Sequence, residues 1–291
     1  MNAIDRFSLR AADGAVLAAY RATPAGPPKG IIQIAHGMAE HFPRYARLTT
    51  ALTSAGYAVY GADHRGHGAS ATIHGLGDFG SRGFAAVVSD MAELTVRARA
   101  ETPNRPLFLL GHSMGSFASQ LYILEHSGLL DGLILSGTAA MGPLLEALAA
   151  SGAAPGLEAF NTAFEPARTP FDWLSRDAAE VDAYVADPLC GFTLTDASMQ
   201  SLFGHGAGAL TDPRLASVNR ELPVLVISGE VDPVVGPGQA YAKALIEAWR
   251  LAGLHRIEHR VYPGARHELF NETCRDEVTR DLIAWLDHNL A

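Results

Sequence analysis

The chain has 291 residues, 48% of them hydrophobic and 18% charged, with 31 acidic against 22 basic residues and a net charge of −9. That length and apolar content suffice for one large α/β-sized domain with a buried core, and the acidic balance excludes a general nucleic-acid binder. Two cysteines, Cys190 and Cys274, are too few for a disulfide framework or a metal quartet, so a reducing compartment is expected.

Taken in chain order, the opening MNAIDRFSLRAADG carries charges where a signal peptide needs an apolar core. No run of about 18 apolar residues follows, so no membrane span is expected and the location is read as cytoplasmic. FSLRAADG and AVLAAYRAT, joined by a turn, read as an antiparallel hairpin at a sheet edge. GIIQIAHG (30–37) is a near-continuous apolar run, as for a strand covered on both faces. An amphipathic stretch ending at Gly56 leads to the strand YAVYGAD (57–63), and residues 84–101 have helical spacing. PLFLLGH (106–112), a helix from SFASQLYILEH, and the strand GLILSGT (132–138) come next. PVLVISG (223–229), a helix around 237–252, the strand RIEHRVYPG (256–264) and a closing helix (275–290) complete the order.

Strands alternating with helices predict βαβ units and a mostly parallel, doubly wound sheet. Between Gly137 and about Ser217 the alternation fails and short helices rich in Ala, Phe and Leu replace it. An α/β core of residues 1–138 and 216–291 is therefore expected, with a helical cap, 139–215, inserted between two sheet strands. Such an insertion would lie above the strands' carboxyl ends.

Residues 111–115 read Gly-His-Ser-Met-Gly, a G-x-S-x-G pattern between a strand and a helix. In that setting the pattern is a nucleophile elbow, which holds a serine hydroxyl out at the top of a sheet. Composition alone yields such a pattern roughly 0.2 times in a chain like this, so the context decides. In an open parallel sheet, ligands bind beyond the carboxyl ends of the strands. PVLVISG is followed there by Glu230-Val231-Asp232-Pro233, and RIEHRVYPG by Ala265-Arg266-His267-Glu268. The order Ser113…Asp232…His267 supplies a nucleophile, an orienting acid and a base. Asp63 also ends a strand, but two strands before the nucleophile. Of the other histidines, His112 is expected to leave the turn in a different direction from Ser113. His64 and His67, in DHRGHGAS, are read as structural, and His255, His259 and His288 as ordinary. The oxyanion needs two N–H donors: the backbone of Met114, next after the nucleophile, and that of Met38, in the loop His36-Gly37-Met38-Ala39-Glu40-His41.

HGMAEH, DHRGHGAS, GHSMGS, GEVDPVV and PGARHELFNE together resemble the monoacylglycerol lipase and lysophospholipase branch of the α/β-hydrolases, also described as serine aminopeptidase-like. The resemblance covers nearly the whole chain. It implies the α/β-hydrolase fold, Ser113, Asp232 and His267 as catalytic triad, Met38 and Met114 as oxyanion hole, and a helical cap with an apolar acyl channel. The branch usually shows HGxGEH, and here Ala39 stands at the second glycine.

The leading expectation is a serine ester hydrolase acting on a monoacylglycerol or similar single-chain lipid ester, with no metal or organic cofactor in its mechanism. An aminopeptidase or amidase with the same triad is the alternative, and a non-catalytic ligand-binding α/β-hydrolase the third reading. Dehalogenase and epoxide hydrolase chemistry is disfavoured, since by analogy with those relatives the elbow would carry Asp. The expected partner is a small lipid-like ester, with transient contact between cap and membrane surface compatible with that substrate. From Ala139 to Leu215 ten acids stand against Arg168, Arg176 and Arg214, placing −7 of the −9 charge on the cap. If these acids form solvated outer faces, their field disfavours anionic substrates such as acidic lysophospholipids.

Overall fold

The structure is a computed structural model and describes residues 4–71, 74–151 and 156–290, with backbone only at Ser151. The opening hairpin pairs β1 (Asp5–Arg10) with β2 (Val16–Ala22), and β2 runs antiparallel to β4 (Tyr57–Ala62). The other neighbours are parallel: β4 with β3 (Gly30–Ala35), β3 with β5 (Leu107–His112), and β5 with β6 (Gly132–Ser136). β7 (Val224–Gly229) and β8 (Ile257–Tyr262) extend the same edge. One eight-stranded sheet results, in the order β1-β2-β4-β3-β5-β6-β7-β8.

Every residue of β3, β4, β5, β6 and β7 is buried, which is why those strands read as continuous apolar runs. α1 (Ala46–Ser54) and α8 (Arg275–His288) cover one face, packing Leu48, Leu52, Leu282 and Trp285 on Ile32, Val59, Phe108 and Leu225. α2 (Gly83–Glu101), α3 (Met114–His126) and α7 (Ala240–Leu251) cover the other, with Met91, Tyr122, Ile123 and Trp249 on Ile31, Leu109, Leu133 and Val226. The chain passes from β3 to β4 on one side and then to β5 on the other. The strand order therefore reverses at β3, and a crevice opens between the carboxyl ends of β3 and β5.

Two boundaries differ from the sequence pattern. The stretch before Gly56 begins as a 3-10 turn, Phe42–Tyr45, and only then becomes α1, because Pro43 enters at its start. The helix expected from 237 starts at Ala240, since Gly238 and Gln239 take left-handed backbone (φ 57° and 69°) that interrupts it.

Between β6 and β7 the described residues contain no strand. They form α4 (Met141–Ser151), α5 (Ala178–Ala186) and α6 (Asp196–Gly208), with 3-10 turns at Leu157–Phe164, Asp172–Leu174 and Pro213–Ser217; residues 152–155 lie outside the described set. Trp173, Leu174, Tyr184 and Leu202 from this segment join the same apolar cluster as the α2/α3 face of the sheet. Polar clasps add to the packing. The N–H groups of Phe79 and Phe84 donate to the hydroxyls of Ser198 and Ser201, and Arg266 donates to the carbonyls of Asp172 and Ser175.

The picture of solvated acidic faces needs correction. Six of the ten acids are ion-paired: Asp172 and Asp182 with Arg168, Asp177 with Arg275, Glu180 with Arg47, Asp187 with His41, and Asp212 with Arg214. Three of those partners come from outside the segment, so part of its acidity faces the rest of the molecule. Among the described residues no helix is long and apolar enough to cross a membrane.

Candidate active site

β5 ends at His112 and α3 begins at Met114, leaving Ser113 to make the whole turn with φ 51° and ψ −120°. A non-glycine residue there costs on the order of 1–3 kcal/mol and persists only where its surroundings impose it. The surroundings are the two glycines. A Cβ on Gly111 would lie 2.5 Å from the Gly115 carbonyl oxygen, and one on Gly115 would lie 2.2 Å from that of Ala35. Only glycine lets α3 approach β3 and β5 this closely. The N–H of Ser113 donates to Ser136 O at 2.9 Å, tying the turn to β6.

Asp232 follows β7 and caps the 3-10 turn Pro233–Val235, one carboxylate oxygen accepting from the N–H of Val234. Its other oxygen lies 2.9 Å from Nδ1 of His267, and both side chains are buried. With Nδ1 as donor to that carboxylate, Nε2 of His267 is an acceptor, and it is buried with no partner among the described residues. Gly137, at the end of β6 with φ 59°, lies against this pair: a Cβ there would be 2.6 Å from Cε1 of His267. The glycine is legible in the sequence as the end of GLILSG, but its contact with the histidine is not.

Two cavities meet at Ser113. The larger, about 310 Å³, runs under α4 and α6 and is lined by Met38, Phe117, Leu144, Leu145, Phe160, Leu202 and similar groups. Among the described lining side chains only the Ser113 hydroxyl and the Trp173 indole carry a nitrogen or oxygen atom. The smaller, about 10 Å³ and so only water-sized, carries the polar groups Glu40, His112, Ser113, Tyr184, His267 and Glu268 beside Leu157, Trp173 and Leu174. Met38 borders both. Met114, as the first residue of α3, has an N–H without a partner inside the helix.

Arg44 holds the polar side together, donating to Glu40 at 2.7 Å and to both oxygens of Glu268 at 2.6 and 2.7 Å. Burial raises the Glu40 carboxyl, whereas at Glu268 the Arg44 charge overcomes burial and holds it well below the usual carboxylate range. Glu40 also accepts from the N–H of Gly37 at 2.6 Å and from the hydroxyl of Tyr45 at 2.7 Å. The structure thus gathers Ser113, Asp232, His267, Met38 and Met114 at the β3/β5 crevice. Asp63 lies apart, accepting from Phe42 N–H, Ala69 N–H and the Tyr20 hydroxyl.

The family model for serine aminopeptidase, S33, matches residues 26–274. The chain belongs to that family. It is 32% identical over 280 residues to a monoacylglycerol lipase of Mycolicibacterium smegmatis, covering 92% of this chain and 91% of the relative. It is 30% identical to the monoglyceride lipase of Mus musculus, covering 96% and 89%. Among solved structures, a thermostable carboxyl esterase from Bacillus coagulans in complex with glycerol superposes with a TM-score of 0.87 at 28% identity, over all of both chains. The fold is the α/β-hydrolase fold of those esterases and lipases.

In this S33 hydrolase two contacts at the site, those of His112 and Trp173 with His267, lay beyond sequence reasoning. His112 does not leave the crevice: its ring lies 4.7 Å from that of His267 and borders the polar cavity. Burial, with His267 alongside, pushes His112 down to about 3, so it is neutral at neutral pH. His64 and His67 are buried with His36 in one cluster of tilted rings, away from Ser113. Trp173 comes from the β6–β7 segment to pack its ring 4.7 Å from that of His267. Among the described residues one group, His41, Asp187 and Cys190, brings metal-type ligand atoms within 4.8 Å of one another. His41 and Asp187 already bond each other at 2.8 Å, and burial pushes the Cys190 thiol up, away from the thiolate a metal needs.

Proposed function

We propose that the protein is a serine ester hydrolase that cleaves neutral single-chain lipid esters, of which a monoacylglycerol is the type. Residues 139–215 would serve as its cap over a core of 1–138 and 216–291. The observation that carries this reading is the cavity of about 310 Å³, which is predominantly apolar and opens on the hydroxyl of Ser113. Its volume is at the low end for a ligand pocket and suits one alkyl chain rather than several. The relatives described as monoacylglycerol lipases, in Mycolicibacterium smegmatis and Mus musculus, support the same substrate class.

In the proposed mechanism the acyl chain occupies the apolar cavity, with the ester carbonyl at Ser113 and the alcohol portion directed towards the side of Glu40 and Glu268. Ser113 Oγ attacks the ester carbonyl while Nε2 of His267 accepts its proton, and Asp232 stabilises the imidazolium through Nδ1. The backbone N–H groups of Met38 and Met114 receive the charge on the carbonyl oxygen. His267 then protonates the leaving alcohol, giving an acyl-serine and a free alcohol. A water, deprotonated by the same nitrogen, releases the fatty acid and restores Ser113.

An aminopeptidase needs an unpaired acid for the substrate ammonium. The two carboxylates bordering the polar cavity, Glu40 and Glu268, are both bonded to Arg44, which favours a neutral alcohol on that side. The test is kcat/KM for a monoacylglycerol, an anionic lysophospholipid and an aminoacyl p-nitroanilide. The monoacylglycerol should be turned over fastest; faster cleavage of the anilide would overturn the reading.

A further inference from the structure

The loop between β3 and α1 is held at two points, one by a residue of the loop itself and one by groups outside it. At its start, the N–H of Gly37 donates to the Glu40 carboxylate at 2.6 Å. At its far end, the carbonyl of Ala39 accepts two hydrogen bonds from the β6–β7 segment: the hydroxyl of Tyr184 at 3.0 Å and the N–H of Gly191 at 3.0 Å. Gly191 N–H also lies 3.1 Å from the Tyr184 hydroxyl oxygen, so the three groups form one closed cluster. Met38 lies between these anchors and borders both cavities beside Ser113.

Ala39 is the strained member. Its φ is 53°, in the left-handed region that favours glycine, and its side chain is fully buried. A residue with a Cβ stays in that conformation only if its surroundings impose it. The two donors on its carbonyl are the groups that do so here. Tyr184 is itself fixed, 2% exposed, with the Arg44 guanidinium 4.8 Å from its ring centre and Phe171 at 5.0 Å.

We propose that Tyr184, with Gly191, is a positioning residue for the oxyanion hole: by fixing the Ala39 carbonyl it holds the left-handed turn that sets the course of the chain leaving Met38, while the peptide that carries the Met38 N–H is held at its own carbonyl, that of Gly37, by Nδ1 of His36. The inference rests on Met38 serving as an oxyanion donor under the function proposed above. It makes the β6–β7 segment a working part of the catalytic centre as well as a wall of the acyl cavity. A donor preorganised in this way acts in the transition state more than in the bound ester.

The test is Tyr184→Phe, which keeps the ring and its contacts with Arg44 and Phe171 and removes one hydrogen bond. Steady-state hydrolysis of a monoacylglycerol and of a short p-nitrophenyl ester, and the rate of fluorophosphonate labelling, are measured for wild type and variant. kcat and the labelling rate should each fall roughly tenfold, as for one lost hydrogen bond in the transition state. KM should change by less than about twofold, and the loss should be the same for both acyl lengths. Ala39→Gly removes the cost of the left-handed backbone, so in that background Tyr184→Phe should cost under about threefold. A raised KM with unchanged kcat, or the same loss in both backgrounds, overturns the proposal. If Tyr184→Phe alone fails to fold, the comparison is made in the Ala39→Gly background, where Tyr184→Phe should fold and cost under about threefold in kcat; a loss of tenfold or more there overturns the account. Failure of the functional reading would look different, as wild-type protein that neither labels at Ser113 nor hydrolyses either ester.

Discussion

Three histidines, His36, His64 and His67, are buried in one cluster of tilted and edge-on rings behind the loop that carries Met38, with ring centres 4.2, 5.3 and 6.4 Å apart. Nδ1 of His36 donates to the Gly37 carbonyl and Nε2 accepts from the N–H of His64, so a second proton on His36 would displace a backbone bond. Burial pushes His64 down to about 3, His67 to about 4 and His36 lower than its usual range, and His112 is likewise held near 3. Each is neutral in the folded protein and protonates in the unfolded chain near 6.5. The unfolded state therefore binds more protons, and stability falls as pH drops below 6.5 towards the folded values.

For His67 the loss between pH 7 and pH 5 is about 1.8 kcal/mol, and the other three buried histidines add to it in the same direction. His67→Phe isolates one share of it. The ring packs against Phe79 and Phe192, Nε2 has no partner, and only the bond from Nδ1 to the Arg65 carbonyl is given up, at about 1 kcal/mol. Urea unfolding followed by tryptophan fluorescence should show the variant less stable at pH 7 yet losing about 1.8 kcal/mol less than wild type on going to pH 5. Identical losses in the two proteins would refute the buried-neutral assignment.

The proposed triad should behave as a unit: Ser113→Ala should abolish fluorophosphonate labelling with the fold intact, and His267→Ala and Asp232→Asn should each lose orders of magnitude in kcat without the losses adding. Gly137→Ala would place a methyl group 2.6 Å from the His267 ring on a backbone at φ 59°; the histidine must move, and kcat/KM should fall on the order of 10²-fold, read against an unchanged circular dichroism spectrum. Leu145→Trp, in the wall of the apolar cavity, should cut kcat/KM for long-chain monoacylglycerols while leaving an acetyl ester unaffected; equal losses on both would mean that the acyl chain lies elsewhere.

Much of this was legible in the sequence for a physical reason. β3, β4, β5 and β7 are covered on both faces, so they must be predominantly apolar, and each parallel strand must be followed by a crossover long enough to hold a helix. The elbow was legible because only glycine tolerates the approach of α3 to β3 and β5. What escaped were contacts between residues far apart in the chain that carry no local signature. His112 against His267, Trp173 over the same ring and Tyr184 on the Ala39 carbonyl depend on how the β6–β7 segment folds back. The alanine in HGMAEH was visible as a departure from the usual glycine; that its backbone keeps the left-handed conformation, held by donors about 150 residues away, required the structure.

The charges of the β6–β7 segment lead to a last prediction. Composition counts ten acids there, but Asp177 and Glu180 are spent on Arg275 and Arg47, so part of the acidity fastens the segment to α8 and α1. Exposed pairs of this kind contribute up to about 1 kcal/mol each and are screened by salt. The backbone bonds from Glu268 N–H to the Leu174 carbonyl at 2.8 Å and from Gly191 N–H to that of Ala39 are not. Raising salt should therefore leave the segment seated and the oxyanion loop in place, and kcat for a neutral monoacylglycerol should stay constant. Repulsion of anionic substrates rests on the acids without an ion pair, Glu146, Glu158, Glu165 and Asp196 among the described residues. The ratio of kcat/KM for a monoacylglycerol over an anionic lysophospholipid should then narrow with salt by only severalfold. A fall in kcat for the neutral ester over the same salt range would show that the ion pairs hold the segment closed, contrary to this argument.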